Sequence, residues 1–96
     1  MNVRFTDSAK ADFRKIASQS KIAYPDITPV LINRLEQVLT RLALWPQSGK
    51  AVHGRQGVCA TPVGHFPFIL FYRVLEDTVE VLHIRHTARK PWNPHR

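Results

Sequence analysis

Four chemically capable side chains crowd into the stretch LHIRHTAR near the end of the sequence: His83, Arg85, His86 and Arg89. Lys50, His53 and Arg55 form a second cationic group in the run KAVHGRQG. Imidazoles and guanidinium groups without carboxylates suit one known kind of catalysis. Metal-free RNA cleavage needs a base for the 2′-hydroxyl, a cation for the charge that builds at phosphorus, and an acid for the leaving oxygen. The same groups bind phosphate or an acidic protein by charge alone. Basic residues at a strand end also make an ordinary solvated rim.

Other chemistries fit less well. The acids are scattered, and Glu76 and Asp77 fall in a turn, so no carboxylate pair is set up for general acid/base work. The run GRQG at 54–57 is too short for a phosphate-cradling loop and precedes a strand pattern. His83 and His86 are three apart on a strand pattern and point to opposite faces, so no metal-ligand set emerges. Cys59, alone in an apolar strand pattern, reads as a small core residue. No cofactor and no small-molecule substrate are expected.

The 96 residues make one domain, 1–96, with a single modest core. Fourteen Lys+Arg against seven Asp+Glu give a formal charge of +7, which favours an acidic partner. The excess is bunched: from Arg85 to Arg96 there are four Lys or Arg, two His and no acid. No apolar run approaches the ~20 residues of a membrane span, so no membrane partner is expected. The start MNVRFTDSAK has no apolar segment of the secretory kind. The lone Cys59 cannot form an internal disulfide. These features place the chain in the cytoplasm.

The elements that must position the cationic cluster follow from periodicity. NVRF alternates as a short edge strand. Ala9, Phe13, Ile16 and Ala17 then share one helical face, with Thr6, Asp7 or Ser8 as cap, and the pattern fades into Ser18–Ser20. Thr28 followed by Pro29 reads as an N-cap and first turn. A second helix carries Leu31, Leu35, Val38, Leu42 and Trp45 and stops at Pro46. Short and then longer strand patterns follow: GVCATPV, FPFILFYRV and TVEVLHIRH. The fold class is therefore α+β: an N-terminal strand, an antiparallel helix pair, then a three-stranded antiparallel run, all in one sheet with the helices on one face.

The last hairpin can be registered. Val74 faces Val79 and Arg73 faces Glu80, an opposite-charge pair. Glu76-Asp77 makes a poor two-residue turn, so a four-residue loop from Leu75 to Thr78 is preferred. Strict alternation then puts Ile69, Phe71, Leu82, Ile84 and His86 on one face. It puts Phe68, Leu70, Tyr72, Val79, Val81, His83 and Arg85 on the other. Both faces are apolar, yet two helices cover only one. Either a partner covers the second face or the C-terminal residues around Trp92 fold back onto it.

The strand–helix–helix–strands order, L-x-x-W-P-x-S-G closing the second helix, PFILFYRV and DTVEVLHIRHTARKPW resemble the RelE/ParE superfamily of type II toxin–antitoxin toxins, over nearly the whole chain. The resemblance implies a small basic toxin held inactive by a cognate acidic antitoxin that wraps its apolar surface, with Phe13, Leu35, Leu42, Phe68, Leu70 and Tyr72 as antitoxin-binding residues. It also implies one of two targets. The ribosome-dependent mRNA-cleaving branch carries basic residues on the strand matching VCATPV, where Cys59 and Thr61 stand here, and an Arg where Ile69 stands. Arg89 does match. If the chain is a nuclease, Arg85, His86 and Arg89 are the catalytic set. The departures favour the ParE-like branch, which resembles inhibitors of DNA gyrase that act by protein–protein contact. Arg89, Lys90 and Trp92 would then bind the target. An inactive module that only binds antitoxin is the third reading.

Overall fold

The computed structural model describes residues 1–87. Among them the order is β1 (Asn2–Phe5), α1 (Asp7–Ala23), α2 (Thr28–Leu44), a 3-10 turn (Pro46–Ser48), β2 (Lys50–Ala51), β3 (Cys59–Pro62), β4 (Phe68–Leu75) and β5 (Thr78–His86). The sheet runs β1-β5-β4-β3-β2. It is the expected α+β architecture, with helices over one face and three successive antiparallel pairings. The first strand joins the last in parallel, Val3 opposite Val79 and Phe5 opposite Val81.

Thr6 accounts for the sharp change from strand to helix. Its amide donates to Val81 O (3.0 Å), which ends the β1 ladder. Its hydroxyl accepts from the Ala9 amide (3.1 Å), which satisfies one of the free donors at the start of α1. Helix α1 runs past the serines to Ala23, further than its apolar pattern carries. Thr28, expected to cap α2, is the helix's first residue instead. Its hydroxyl donates to Tyr24 O (3.2 Å) and lies 2.7 Å from Ser20 Oγ, so it braces the turn between the helices.

Leu31, Leu35, Val38 and Leu42 of α2 and Ala9 and Ile16 of α1 pack on Leu70, Tyr72, Val79, Val81 and Ile84 of the sheet. Each large aliphatic side chain buried this way stabilises the fold by about 1.5–3 kcal/mol relative to exposure. The Tyr72 hydroxyl is buried with them and needs polar partners. It donates to Pro46 O (2.8 Å) and accepts from the Gly49 amide (3.0 Å). A Cβ at Gly49 would collide with that hydroxyl and lie 2.9 Å from Ala60 O. The W-P-x-S-G stretch therefore has a physical reason: its carbonyl, amide and missing side chain all receive one tyrosine.

The hairpin corrects the sequence reading in two ways. Val74–Val79 and Arg73–Glu80 pair as expected, but Leu75 also pairs with Thr78. The loop is thus the two-residue Glu76-Asp77, with Glu76 accepting a φ of 44° that glycine normally takes. Further along, a β-bulge intervenes. Tyr72 faces Val81 while Phe71 faces His83, so Leu82 is the extra residue. Beyond it every β5 side chain changes face. Ile84 (3% exposed) enters the core opposite Leu70, and His86 stands opposite Phe68. His83 and Arg85 join Phe71 and Ile69 on the face away from the helices. That face is more polar than strict alternation implies. It also holds Glu80, between Arg4 (2.6 Å) and Arg73 (2.7 Å), whose hydrogen bonds hold its carboxyl below the usual carboxylate range.

Candidate functional site

The bulge and the early end of β1 together build the site. β5 extends past β1, leaving its outer edge against α1. There Asp12 Oδ2 accepts the Ile84 amide (3.0 Å) and lies 3.5 Å from His83 Nδ1. An Arg85 guanidinium nitrogen is also 3.5 Å from that Nδ1. A ring proton on Nδ1 suits Asp12, and a lone pair there suits Arg85, so the imidazole stands between two competing neighbours. Burial pushes the His83 pKa below its ordinary value. The charges of Arg85 and Arg55 add to that, and Asp12 opposes it. The result is an imidazole biased to the neutral form. His86, on the other side of the strand, meets the Phe68 ring edge-on at a centroid distance of 5.2 Å.

Between α1, the turn joining the helices and the ends of β4 and β5 lies an open groove of ≈ 600 Å³. Its floor is apolar, with Ile16, Leu31, Phe66, Phe68 and Ile84. Lys15, Arg85 and His86 stand on its rim, and Tyr24 and Ile27 close one end. Tyr24 is 67% exposed and Ile27 46% exposed. A shallower hollow of ≈ 170 Å³ lies on the other side of α1, lined by Phe5, Phe13, Ile32 and Leu39 among others. Phe5 and Phe13 form an edge-to-face pair there at 6.3 Å.

The residues singled out from sequence distribute unevenly over this geometry. Arg85 and His86 leave opposite faces of β5, His86 on the helix-covered face beside Phe68, and both line the groove. Phe68 lies in the groove, and Phe13 is half-buried at the hollow. Leu35, Leu42, Leu70 and Tyr72, expected to bind antitoxin, are at most 2% exposed and pack in the chain's own core, with Leu35 also lining the hollow. Arg89, Lys90 and Trp92 lie outside the described residues. Cys59 and Thr61 turn toward the helices, opposite Tyr72 and Leu70, and Thr61 receives a hydrogen bond from Arg41. The β3 residues sharing the face of Phe71 and Arg85 are instead Ala60 and Pro62. The sequence reading missed Asp12, Lys15, Tyr24 and Phe66. Tyr24 and Ile27 carried a usable signal: large apolar residues inside a Pro-containing turn.

Among the described residues no helix is long and apolar enough to cross a membrane. The sequence has no significant match among curated proteins. Solved structures share the fold. A chain of the chromosomal ParDE toxin–antitoxin system from P. aeruginosa is 19% identical, with a TM-score of 0.75 over 90% of this chain and 95% of that one. A YoeB/ParE toxin from Agrobacterium tumefaciens is 15% identical, with a TM-score of 0.66 over 90% and 98%. The isolated E. coli RelE toxin is 17% identical, with a TM-score of 0.66 over 93% and 86%. The sequence model of the ParE toxin of the type II toxin–antitoxin system parDE matches residues 3–91. With that span matched and the fold in agreement, this chain belongs to the ParE toxin family of type II toxin–antitoxin systems.

Proposed function

We propose that the chain acts in the cytoplasm as a toxin neutralised by a cognate acidic antitoxin, and that its target is DNA gyrase, engaged by protein–protein contact without catalysis. The observation that carries the choice of target is the sheet face bearing His83 and Arg85. RNA cleavage there needs several cations around one phosphate. The neighbouring positions on β3 and β4 hold Ala60, Pro62 and Ile69, none of them basic. An antitoxin partner is supported by the apolar groove with its cationic rim, by the formal charge of +7, and by membership in a toxin–antitoxin family.

The second reading, a ribosome-dependent endoribonuclease, draws on one observation. Asp12, His83 and Arg85 make a carboxylate–imidazole–guanidinium row of the kind that could orient a general base beside a phosphate-binding cation. Induction in cells decides between the readings. Gyrase poisoning gives broken DNA and the SOS response with intact mRNA. Ribosome-dependent cleavage of mRNA by the purified chain would overturn the gyrase reading. Absence of both outputs would leave an antitoxin-binding module.

A further inference from the structure

We propose that the groove receives an acidic amphipathic segment of a partner protein, one carboxylate seated on Arg85 and an apolar stripe on Phe66, Phe68 and Ile84, and that this segment docks through side chains without adding a strand to β5. The inference rests on the reading of the chain as a toxin held by a protein partner.

Arg85 is the central observation. It is half-buried, and among the described residues no carboxylate lies within ion-pairing distance of it. Its Nε is buried without a hydrogen-bond partner among the described residues. The carboxylate on the nearby helix, Asp12, is already committed through Oδ2 to the Ile84 amide. The imidazole beside Arg85 carries no compensating charge. A guanidinium withdrawn from water without a counter-charge is costly, and an incoming carboxylate removes that cost. Lys15 on the same rim adds attraction for acids, and Asp12, which also lines the groove, partly offsets it. The apolar floor separates this site from one built for a bare phosphate chain. The chain's own charge of +7 disfavours a second copy as occupant.

The mode of docking follows from the β5 edge. Past Val81 the strand no longer pairs with β1, and such an edge would ordinarily template another strand. Here the Leu82 carbonyl accepts from the Thr6 hydroxyl (3.1 Å) and the Ile84 amide is held by Asp12. These two groups, which a new strand would need, are taken by side chains.

The test uses the whole chain and, as probe, the protein encoded by the adjoining reading frame, with calorimetry at low and moderate salt. Arg85→Gln should weaken binding by roughly ten- to a hundred-fold and flatten its salt dependence. Lys15→Gln should lose less. One Glu→Gln or Asp→Asn change in the partner should cost nothing further once Arg85 is gone. Thermal melting of each variant checks that the fold survives. The proposal is overturned if Arg85→Gln binds within about threefold of wild type, or if no partner acid couples to Arg85. It is also overturned if Asp12→Ala tightens binding, the signature of strand addition at a released Ile84 amide, or if Arg85→Gln instead abolishes self-association or oligonucleotide binding. Failure of the partner to bind the unaltered chain at all would instead remove the toxin–antitoxin reading beneath it.

Discussion

Tyr72→Phe isolates the contact between the core and the turn that leads into β2. The substitution keeps the ring and removes only the hydroxyl, which serves Pro46 O at 2.8 Å and the Gly49 amide at 3.0 Å. Each of these hydrogen bonds contributes a net ~0.5–1.5 kcal/mol, so the pair is worth about 2 kcal/mol. In a domain of this size that lowers Tm by roughly 8–16 °C. Urea unfolding followed by far-UV circular dichroism measures it directly. A double-mutant cycle sharpens the result. Gly49→Ala drives a methyl into the hydroxyl, so part of its penalty should vanish in the Tyr72→Phe background. Contacts with Ala60 O and with the ring carbon Cε1 of residue 72, each at 2.9 Å, remain in both backgrounds. The two changes should therefore be less than additive by on the order of 1 kcal/mol. Strict additivity, or a Tyr72→Phe loss below about 0.5 kcal/mol, would refute the assignment of Tyr72 as the anchor of this turn.

Further expectations concern the sheet and its edge. Phe71→Ala should cost about 3–5 kcal/mol, since Phe71 is only 6% exposed. Arg73→Ala should cost clearly less, because Arg73 is half exposed and Glu80 keeps Arg4, and chemical denaturation of the two variants side by side checks the order. Asp12→Ala should speed hydrogen exchange at the Ile84 amide by roughly ten- to a hundred-fold, while Asp12→Asn, which keeps an acceptor, should change it little. On the acid side, the two lowered groups, Glu80 and His83, act in the same direction. The Glu80 carboxyl is held low when folded, so its contribution is complete above the ordinary carboxylate range and fades as pH falls through its folded value. Glu80→Gln should differ most from wild type near neutrality and least in acid. His83 is also held low, so the unfolded chain binds the extra proton and stability declines as pH falls below the ordinary imidazole value of 6.5. An NMR titration placing the His83 pKa above that value would contradict the geometry around it.

How much of this was legible beforehand depends on whether a feature is written in local periodicity. The helices and the Arg73–Glu80 register were, because 3.6- and 2-residue repeats and a charge pair specify them. The β-bulge was not. A single extra residue, Leu82, leaves no mark in a run of alternating apolar residues, yet it moved Ile84 into the core and His83 and Arg85 out of it. The two-residue turn was missed because Glu76 adopts a backbone conformation that its side chain disfavours. β2 was too short to show a period. The six docking residues are all apolar, and hydrophobicity does not separate a core position such as Leu42 from a groove position such as Phe68. Asp12 was invisible for a different reason. Its partner Ile84 lies 72 residues away, and the bond is to backbone, which every residue carries.

The parallel pairing of β1 with β5 has a consequence for the order of events on the ribosome. Among the described strands the one made first docks against the one made last, with Arg4 and Glu80 separated by 76 positions. The helix pair, whose contacts are local, can form as soon as it emerges, but its apolar face has no sheet to lie on until β4 and β5 follow. Closing so long a loop is entropically expensive and slow compared with helix formation. The nascent chain thus passes through an interval in which Leu31, Leu35 and Leu42 are made but uncovered. A chain released before Val81 would strand Asn2–Phe5 without its neighbour and leave the helices open to aggregation.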